Sequence, residues 1–459
     1  MLNNDRIAAF FLHRQERVQK QPGLRGHLVV VLLTFLMFCG AAAQSFYPAT
    51  DPARYQCYAS TFWLGSNAVK QLPQVQCAFL QITHVQTPFH MLPKEYPPFT
   101  LLPFSLPLLI PFVNYQIIFS LFMSLTILLI YWLLLRFGPH GSASASILYM
   151  VLGACAIAPM RYDLLPATAT LLCLIAASRQ RWTLAYLALA VGVLLKIYPI
   201  LLLPALFISE QQTKKRLLAP ATTSLKKLPR ELWQALQGMF RWSWRNTLFF
   251  FISLIAVTGL FALSDFNNAV VSQFSYFLKR PVQIESLNAT YIWLAHLGGA
   301  NWKIAYDFGS INIHTPLNNN TSPIFTFLLI IGVIYTLWLQ WQQRCSLPQA
   351  AVALLLLFVT TGKVFSPQYL IWLIPLLAFA GCYTRLWTYL WGAVSLLTTF
   401  IYVFFYSQLL DPNHITIPIG FFETAAIRNI LLAYLTLAYL FDWHQMRTAT
   451  TVHNIQERL

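Results

Sequence analysis

The residues with chemical capacity in this chain are few and widely spaced. Asp51 lies in Tyr47-Pro48-Ala49-Thr50-Asp51-Pro52-Ala53-Arg54-Tyr55, eight residues beyond an apolar run over 28–43. A carboxylate there sits near a headgroup plane and could remove a proton from a hydroxyl. The same residues also suit an Asp-Pro turn or a helix cap. Glu95-Tyr96-Pro97-Pro98 stiffens the chain before a Pro-broken apolar stretch. Arg161-Tyr162-Asp163 closes one apolar segment and opens the next, so the two charges could pair internally or Arg161 could bind phosphate. Lys196, in Gly192-Val193-Leu194-Leu195-Lys196-Ile197-Tyr198-Pro199, is far in sequence from any carboxylate, and snorkelling to the interface is its alternative role. Lys279-Arg280-Pro281-Val282-Gln283-Ile284-Glu285-Ser286 sets two cations before an acid. Lys363 interrupts an apolar run in Thr361-Gly362-Lys363-Val364-Phe365-Ser366-Pro367-Gln368-Tyr369.

The elements that must carry these groups follow from composition. Of 459 residues, 57% are apolar and 10% charged, against roughly a quarter charged in soluble domains. A soluble globule, a disordered chain and a disulfide mini-scaffold are excluded, the last because 7 cysteines are too sparse. A polytopic, all-α membrane protein remains. The net charge of +16 raises nucleic acid as a partner. Its distribution answers otherwise: Arg6, Arg14, Arg17, Lys20 and Arg25 precede the first run, a second group fills 210–246, and Arg136, Arg179, Arg181, Arg344, Arg385, Arg447 and Arg458 flank later ones. Under the positive-inside rule these face the cytoplasm, beside lipid headgroups, and no nucleic-acid motif accompanies them.

The chain accordingly divides into a cytoplasmic arm over 1–27, a membrane domain over 28–441 and a cytoplasmic tail over 442–459. Within the domain, 45–113 is a long first extracytoplasmic loop, 210–245 a basic cytoplasmic segment, and 265–322 and 410–425 further outer loops. Spans are expected at 28–43, 114–135, 143–160, 164–177, 246–264, 323–342, 348–360, 369–381, 387–409 and 426–441. The stretch 183–208 reads as two short helices with Lys196-Ile197-Tyr198-Pro199 at their turn, which makes about twelve crossings, within 10–13, and places both termini inside. Asp51, Glu95, Asp163, Asp265, Glu285, Asp307, Asp411 and Glu423 then fall on the outer face, more than half of the 14 acidic residues. Arg54, Lys70, Lys94, Arg161, Lys279, Arg280, Lys303, Lys363 and Arg428 join them there against the positive-inside trend. Structural ion pairs or an anionic ligand would account for them.

Taken in order, Tyr96-Pro97-Pro98, Arg161-Tyr162-Asp163-Leu164-Leu165-Pro166-Ala167, Leu195-Lys196-Ile197-Tyr198-Pro199, Arg280-Pro281-Val282-Gln283-Ile284-Glu285-Ser286 and Phe365-Ser366-Pro367-Gln368-Tyr369-Leu370-Ile371-Trp372 resemble the polytopic GT-C glycosyltransferases. The particular likeness is to glycosyltransferase family 87, the polyprenol-phosphate-mannose-dependent alpha-mannosyltransferases. The first outer loop departs from the family pattern in its length and its Gln-rich centre between Cys57 and Cys77, two cysteines that could form a disulfide on the oxidising face.

The resemblance implies transfer of a sugar, mannose foremost, from a polyprenyl-monophosphate donor to a glycolipid or glycan acceptor at the extracytoplasmic face of a bacterial plasma membrane. It implies Asp51 as general base, with inversion at the anomeric carbon. Arg161, Lys196, Arg280 and Lys363 are the candidates to hold the donor phosphate. Tyr55, Glu95, Tyr96, Asp163, Tyr198, Glu285, Ser286, Gln368 and Tyr369 are expected to meet the sugar or support these groups, Glu285 by orienting Arg280 or binding a sugar hydroxyl. The tyrosines equally suit an interfacial aromatic belt. No cofactor is expected; no Asp-x-Asp motif is present, and a divalent metal stays open. The alternatives are a GT-C enzyme using another lipid-linked sugar such as arabinofuranose, a polytopic flippase, or a non-catalytic membrane subunit.

Overall fold

A computed structural model describes residues 6–20, 24–45, 47, 50–82, 84–217, 231, 233, 237–406, 408–409 and 415–441. The tail over 442–459, the start of the 1–27 arm, Asp411 and the 218–230 part of the basic segment lie outside the described residues. The chain is mostly helical, at 74%. Its helices are α1 (Arg6–Lys20), α2 (Leu24–Gln44), α3 (Asp51–Leu64), α4 (Tyr115–Phe137), α5 (Ser142–Ala154), α6 (Leu164–Ser178), α7 (Trp182–Leu195) and α8 (Leu203–Thr213). They continue with α9 (Arg245–Ala262), α10 (Ser272–Lys279), α11 (Leu287–Leu297), α12 (Asn318–Trp341), α13 (Leu347–Thr361), α14 (Tyr369–Phe379), α15 (Arg385–Phe400) and α16 (Phe421–Phe441).

Among the described residues, six helices are long and apolar enough to cross a membrane: those over 25–44, 112–137, 245–262, 318–341, 385–405 and 421–441. Their outward sides are greasy. Along α9, Leu248, Ile252, Ile255 and Leu260 are exposed, and only 17% of its apolar stretch is buried. Along α12, Ile324, Phe327, Ile331 and Ile334 are exposed. Continuous apolar surface of this kind suits hydrocarbon rather than water. The shorter apolar helices α13 and α14 run through the interior, where Ala350 to Leu356 and Leu370 to Leu377 are buried almost without interruption. A helix apolar on every side belongs in such a core.

Two ends of the bundle differ in polarity. At one, Phe11 meets Tyr383 (ring centroids 5.9 Å apart), the Tyr383 hydroxyl donates to the His140 carbonyl (2.5 Å), and Arg179 lies over Phe137 at 4.2 Å. His27 contacts Tyr131 there (3.1 Å), and Arg136, Arg181 and Arg385 flank the same contacts in sequence. The expected arm is thus a helix, α1, whose buried Ala8 and Phe11 pack on the bundle. The opposite end collects the helix breaks. The segment expected to span 143–160 stops at Ala154, because Pro159 and Pro166 bracket a bend carrying Arg161-Tyr162-Asp163. Between α7 and α8 the chain breaks at Lys196 and Pro199.

The segment over 45–113, expected as the first outer loop, is built around α3. A disulfide joins Cys57 to Cys77, with Cα atoms 5.7 Å apart. The Gln-rich centre ties this loop together through its side-chain amides. Gln76 donates to the Ala53 carbonyl (3.0 Å) and to Gln56 (2.9 Å), and Gln56 donates to the Phe112 carbonyl (2.9 Å). The 265–322 region is not a plain loop. It carries α10, α11 and an antiparallel sheet of β1 (Val282–Gln283), β2 (Lys303–Asp307) and β3 (Ser310–His314), in the order β1-β3-β2. Val282 pairs with Ile313 and Asp307 with Ser310. Val282, Ile284, Ile311 and Ile313 form a small core with Phe421 and Phe422 at the start of α16.

Candidate functional site

The local sequence around Asp51 explains its pose. Thr50 caps α3, its hydroxyl accepting from the Ala53 amide (3.2 Å) and donating to Gln116. Thr50, not Asp51, is therefore the cap. Asp51 occupies the first turn beside Pro52, where the helix dipole favours an anion. Its side chain keeps 22% exposure and meets Arg161 at 2.7 Å. Arg161 stands in extended backbone between the Pro159 turn and α6. Tyr402 also faces this pair and interacts with both Arg161 and Asp51.

Asp163 does not pair with Arg161; it stands at the start of α6 but spends no oxygen capping it. Its Oδ1 instead accepts from Lys196 (2.5 Å) and from the Trp372 indole N–H (2.5 Å). Lys196 lies far from Asp163 in sequence, yet the break after α7 brings it there. Its ammonium lies 4.9 Å from the Trp372 ring centroid and 5.0 Å from that of Tyr162, a favourable cation–π setting. Trp372 is itself stacked between Tyr198 (4.1 Å) and Tyr369 (4.0 Å). Snorkelling is thereby replaced by a built aromatic seat.

Arg280 leaves α10 and donates to the Ser310 hydroxyl (2.8 Å). Among the described residues its buried Nε has no hydrogen-bond partner and it forms no ion pair. Lys363 donates to the Leu278 carbonyl (2.9 Å). Burial, and then the neighbouring Arg280 charge, push the Lys363 ammonium below the usual lysine range. Gln368, at the start of α14, has a buried Oε1 with no partner among the described residues. Glu95 pairs with Arg54 at 2.6 Å, and each side chain is 18% exposed.

Glu285 corrects the sequence expectation. It neither orients Arg280 nor is open to a ligand: it is 0% exposed, and Arg428 of α16, also 0% exposed, faces its Oε2 at 3.4 Å. Arg428 and Asn429 further donate to the Glu285 carbonyl oxygen (2.7 and 3.0 Å), and Tyr406 donates to Oε1. Burial pushes this carboxyl up, while Arg428, Tyr406 and Gln283 oppose the shift. Ser286 is likewise structural, capping α11 by accepting from the Ala289 amide (3.1 Å). The network fastens the site, since Gln283 donates its amide to the Lys363 carbonyl (2.9 Å) and accepts from the Phe365 amide (3.3 Å).

Tyr55 is also reassigned. It is 0% exposed and stacked on Phe104 at 4.3 Å, within a group holding Tyr96, Phe119 and Tyr162. Tyr198 is 4% exposed. These rings pack the floor of the site and offer no free face to a sugar, whereas Tyr96 and Tyr369 keep partial exposure. Sequence reasoning left Arg54, Tyr276, Tyr402, Tyr406 and Arg428 outside the site. Arg54 had a readable signal, lying three residues after Asp51 on one helix face. Arg428 had one too, as a lone cation inside an apolar helix.

The structure thus brings Asp51, Arg161, Asp163 and Lys196 together at one end of the bundle, with Arg280 near Tyr369 and Lys363 near Arg280. Such a set can hold a hydroxyl next to a carboxylate and an anion next to fixed cations. No family model, curated protein or solved structure matches the chain.

Proposed function

We propose that the chain is an integral-membrane glycosyltransferase of the GT-C kind, resembling family 87, that moves a sugar from a polyprenyl monophosphate to a glycolipid or glycan hydroxyl. Mannose is the first donor sugar to test. The observation that carries this reading is the meeting of the Asp51–Arg161 and Asp163–Lys196 pairs near Arg280, which forms no ion pair among the described residues. In the transfer, the acceptor oxygen forms a bond to the anomeric carbon as the bond from that carbon to the phosphate oxygen breaks. Asp51 takes the hydroxyl proton, and the phosphate leaves with the bonding electron pair. Arg280 and Lys363 hold the growing negative charge, Arg280 with its forked donors and Lys363 as a point charge. Arg161 sets the direction of Asp51.

A single displacement with inversion suits the carboxylate inventory. A covalent sugar intermediate needs a second free carboxylate, and Asp163, at 1% exposure, is committed to Lys196 and Trp372. The membrane placement is part of the same proposal. The six long helices together with α5, α6, α7, α8, α13 and α14 supply twelve crossings. The Arg-rich end faces the cytoplasm by the positive-inside rule, which puts Asp51 outside. The test is the purified chain in lipid vesicles with radiolabelled polyprenyl-phosphate mannose and a panel of glycolipid acceptors. Acceptor-dependent release of polyprenyl phosphate is expected. Movement of the lipid-linked sugar across the vesicle without any release would favour the flippase instead.

A further inference from the structure

One helical turn beyond Asp51, a second set of polar groups converges from three separate parts of the chain. Arg54 and Glu95 face one another at 2.6 Å, partly open, and the Arg54 Nε is buried with no hydrogen-bond partner among the described residues. Asp51 is among the charges that act on Arg54. Over this pair lies the tip of the β2–β3 hairpin, a two-residue turn at Phe308-Gly309 with φ of +47° and +68°. Both values are left-handed, as a tight hairpin turn needs, and Gly309 meets that need without strain. Phe308 does not; a bulky side chain in this region is a costly exception that tends to mark ligand-clamping sites. It is held there by Tyr276, whose hydroxyl donates to the Phe308 carbonyl and whose ring meets that of Phe308 at 5.5 Å. A Cβ added at Gly309 would lie 3.5 Å from both Arg54 Nη1 and Glu95 Oε1, and 3.6 Å from the Tyr276 hydroxyl. The bare glycine therefore seats the hairpin tip against one side of the ion pair, whose side chains each keep 18% exposure.

We infer that Arg54 and Glu95, roofed by Phe308-Gly309, form a second hydroxyl-binding subsite, and that the acceptor must be a polyol presenting two hydroxyls at once. This rests on Asp51 as the base for transfer. Residues three apart on a helix place their Cβ atoms about 5–6 Å from each other, a span comparable to that between hydroxyls on opposite sides of one sugar ring. One hydroxyl meets Asp51 and reacts. The other donates to Glu95 and accepts from Arg54, using both polarities of the pair. A carboxylate beside a guanidinium can satisfy a hydroxyl as donor and as acceptor together, which neither group does alone. A lone aliphatic alcohol leaves the pair unmet. A site built to hydrogen-bond a hydroxyl rejects the analogue lacking it far more strongly than an apolar pocket rejects a missing methylene.

The experiment uses the full chain in vesicles, polyprenyl-phosphate mannose as donor, and methyl mannoside with each of its monodeoxy analogues as acceptors. For the wild type, removal of one hydroxyl other than the reacting one is expected to lower kcat/KM by about 100-fold or more. Glu95→Gln and Arg54→Lys are expected to raise the acceptor KM at an unchanged donor KM. They should also lose sensitivity to that same deoxy position. Donor release that is equally fast with all non-reacting-position deoxy acceptors, or with a simple long-chain alcohol, would overturn the subsite while leaving the transferase reading in place. Absence of release with every acceptor overturns the transferase reading and this inference with it. If neither variant accumulates as folded protein, the wild-type deoxy series alone decides.

Discussion

The Glu285–Arg428 pair offers the sharpest quantitative test of how the site is held. Both side chains are 0% exposed, so removing one partner strands the other in a dry interior, at a cost of about 3–5 kcal/mol. The two single variants should nevertheless differ. In Arg428→Met the stranded group is Glu285, whose carboxyl burial already pushes up, so it can escape by taking a proton. A raised carboxyl contributes stability that is fully present below its unfolded value and is lost as pH rises through the folded value. Arg428→Met is therefore expected to be least stable at neutral pH and to recover on mild acidification. In Glu285→Gln the stranded group is a guanidinium, which keeps its charge throughout, and the penalty should persist across the same window. The double variant removes both charges. Asn429 still donates to the Glu285 carbonyl (3.0 Å), leaving a loss of about 1–3 kcal/mol for the hydrogen bonds no longer made. The cycle then yields a coupling of at least about 3 kcal/mol, large for neighbouring residues. Unfolding of the solubilised protein, followed by tryptophan fluorescence at pH 5 and pH 7.5, measures all four corners. Additive single effects with no difference in pH response would refute the reasoning.

Other expectations follow from the same geometry. Because Lys363 lies below the usual lysine range, its charge is lost on the alkaline side before that of a free lysine. Donor binding should therefore weaken as pH rises through the lowered value, and Lys363→Arg should move that loss upward in a pH profile of donor KM. Cys57 and Cys77 close a loop of sequence separation 20. Reducing the bond, or replacing both cysteines by Ser, should cost about 3 kcal/mol, read as a reductant-dependent unfolding midpoint that the double Ser variant lacks. Asp163→Leu strands Lys196 against two rings and should cost about 3–5 kcal/mol, whereas Asp163→Asn, which can still accept from Trp372, should cost less in the same unfolding assay.

Much of the scaffold was legible because apolar runs and proline breaks are local signals. The turn at Lys196-Ile197-Tyr198-Pro199 falls between two helices as expected, since proline removes a donor and clashes with the preceding turn. Partner choice was not legible. Asp163 and Lys196 meet across 33 residues, and Glu285 and Arg428 across 143. Such pairings depend on which helix faces pack, and no periodicity within one segment reports that. The sheet over 282–314 was missed for a related reason. Its strands are two to five residues long, too short for an alternation to stand out, and they are stabilised by the small core against Phe421 and Phe422. The aromatic residues show the converse limit: Tyr55 and Tyr198 have the composition of sugar-stacking rings but serve as packing.

The most direct test of the whole account is the rate at which vesicle-embedded protein releases polyprenyl phosphate in the presence of acceptor, for wild type and Asp51→Asn side by side. Loss of a positioned base should slow release by about 10²–10⁴-fold while donor KM and the unfolding midpoint stay near wild type. Release by Asp51→Asn at the wild-type rate would contradict it.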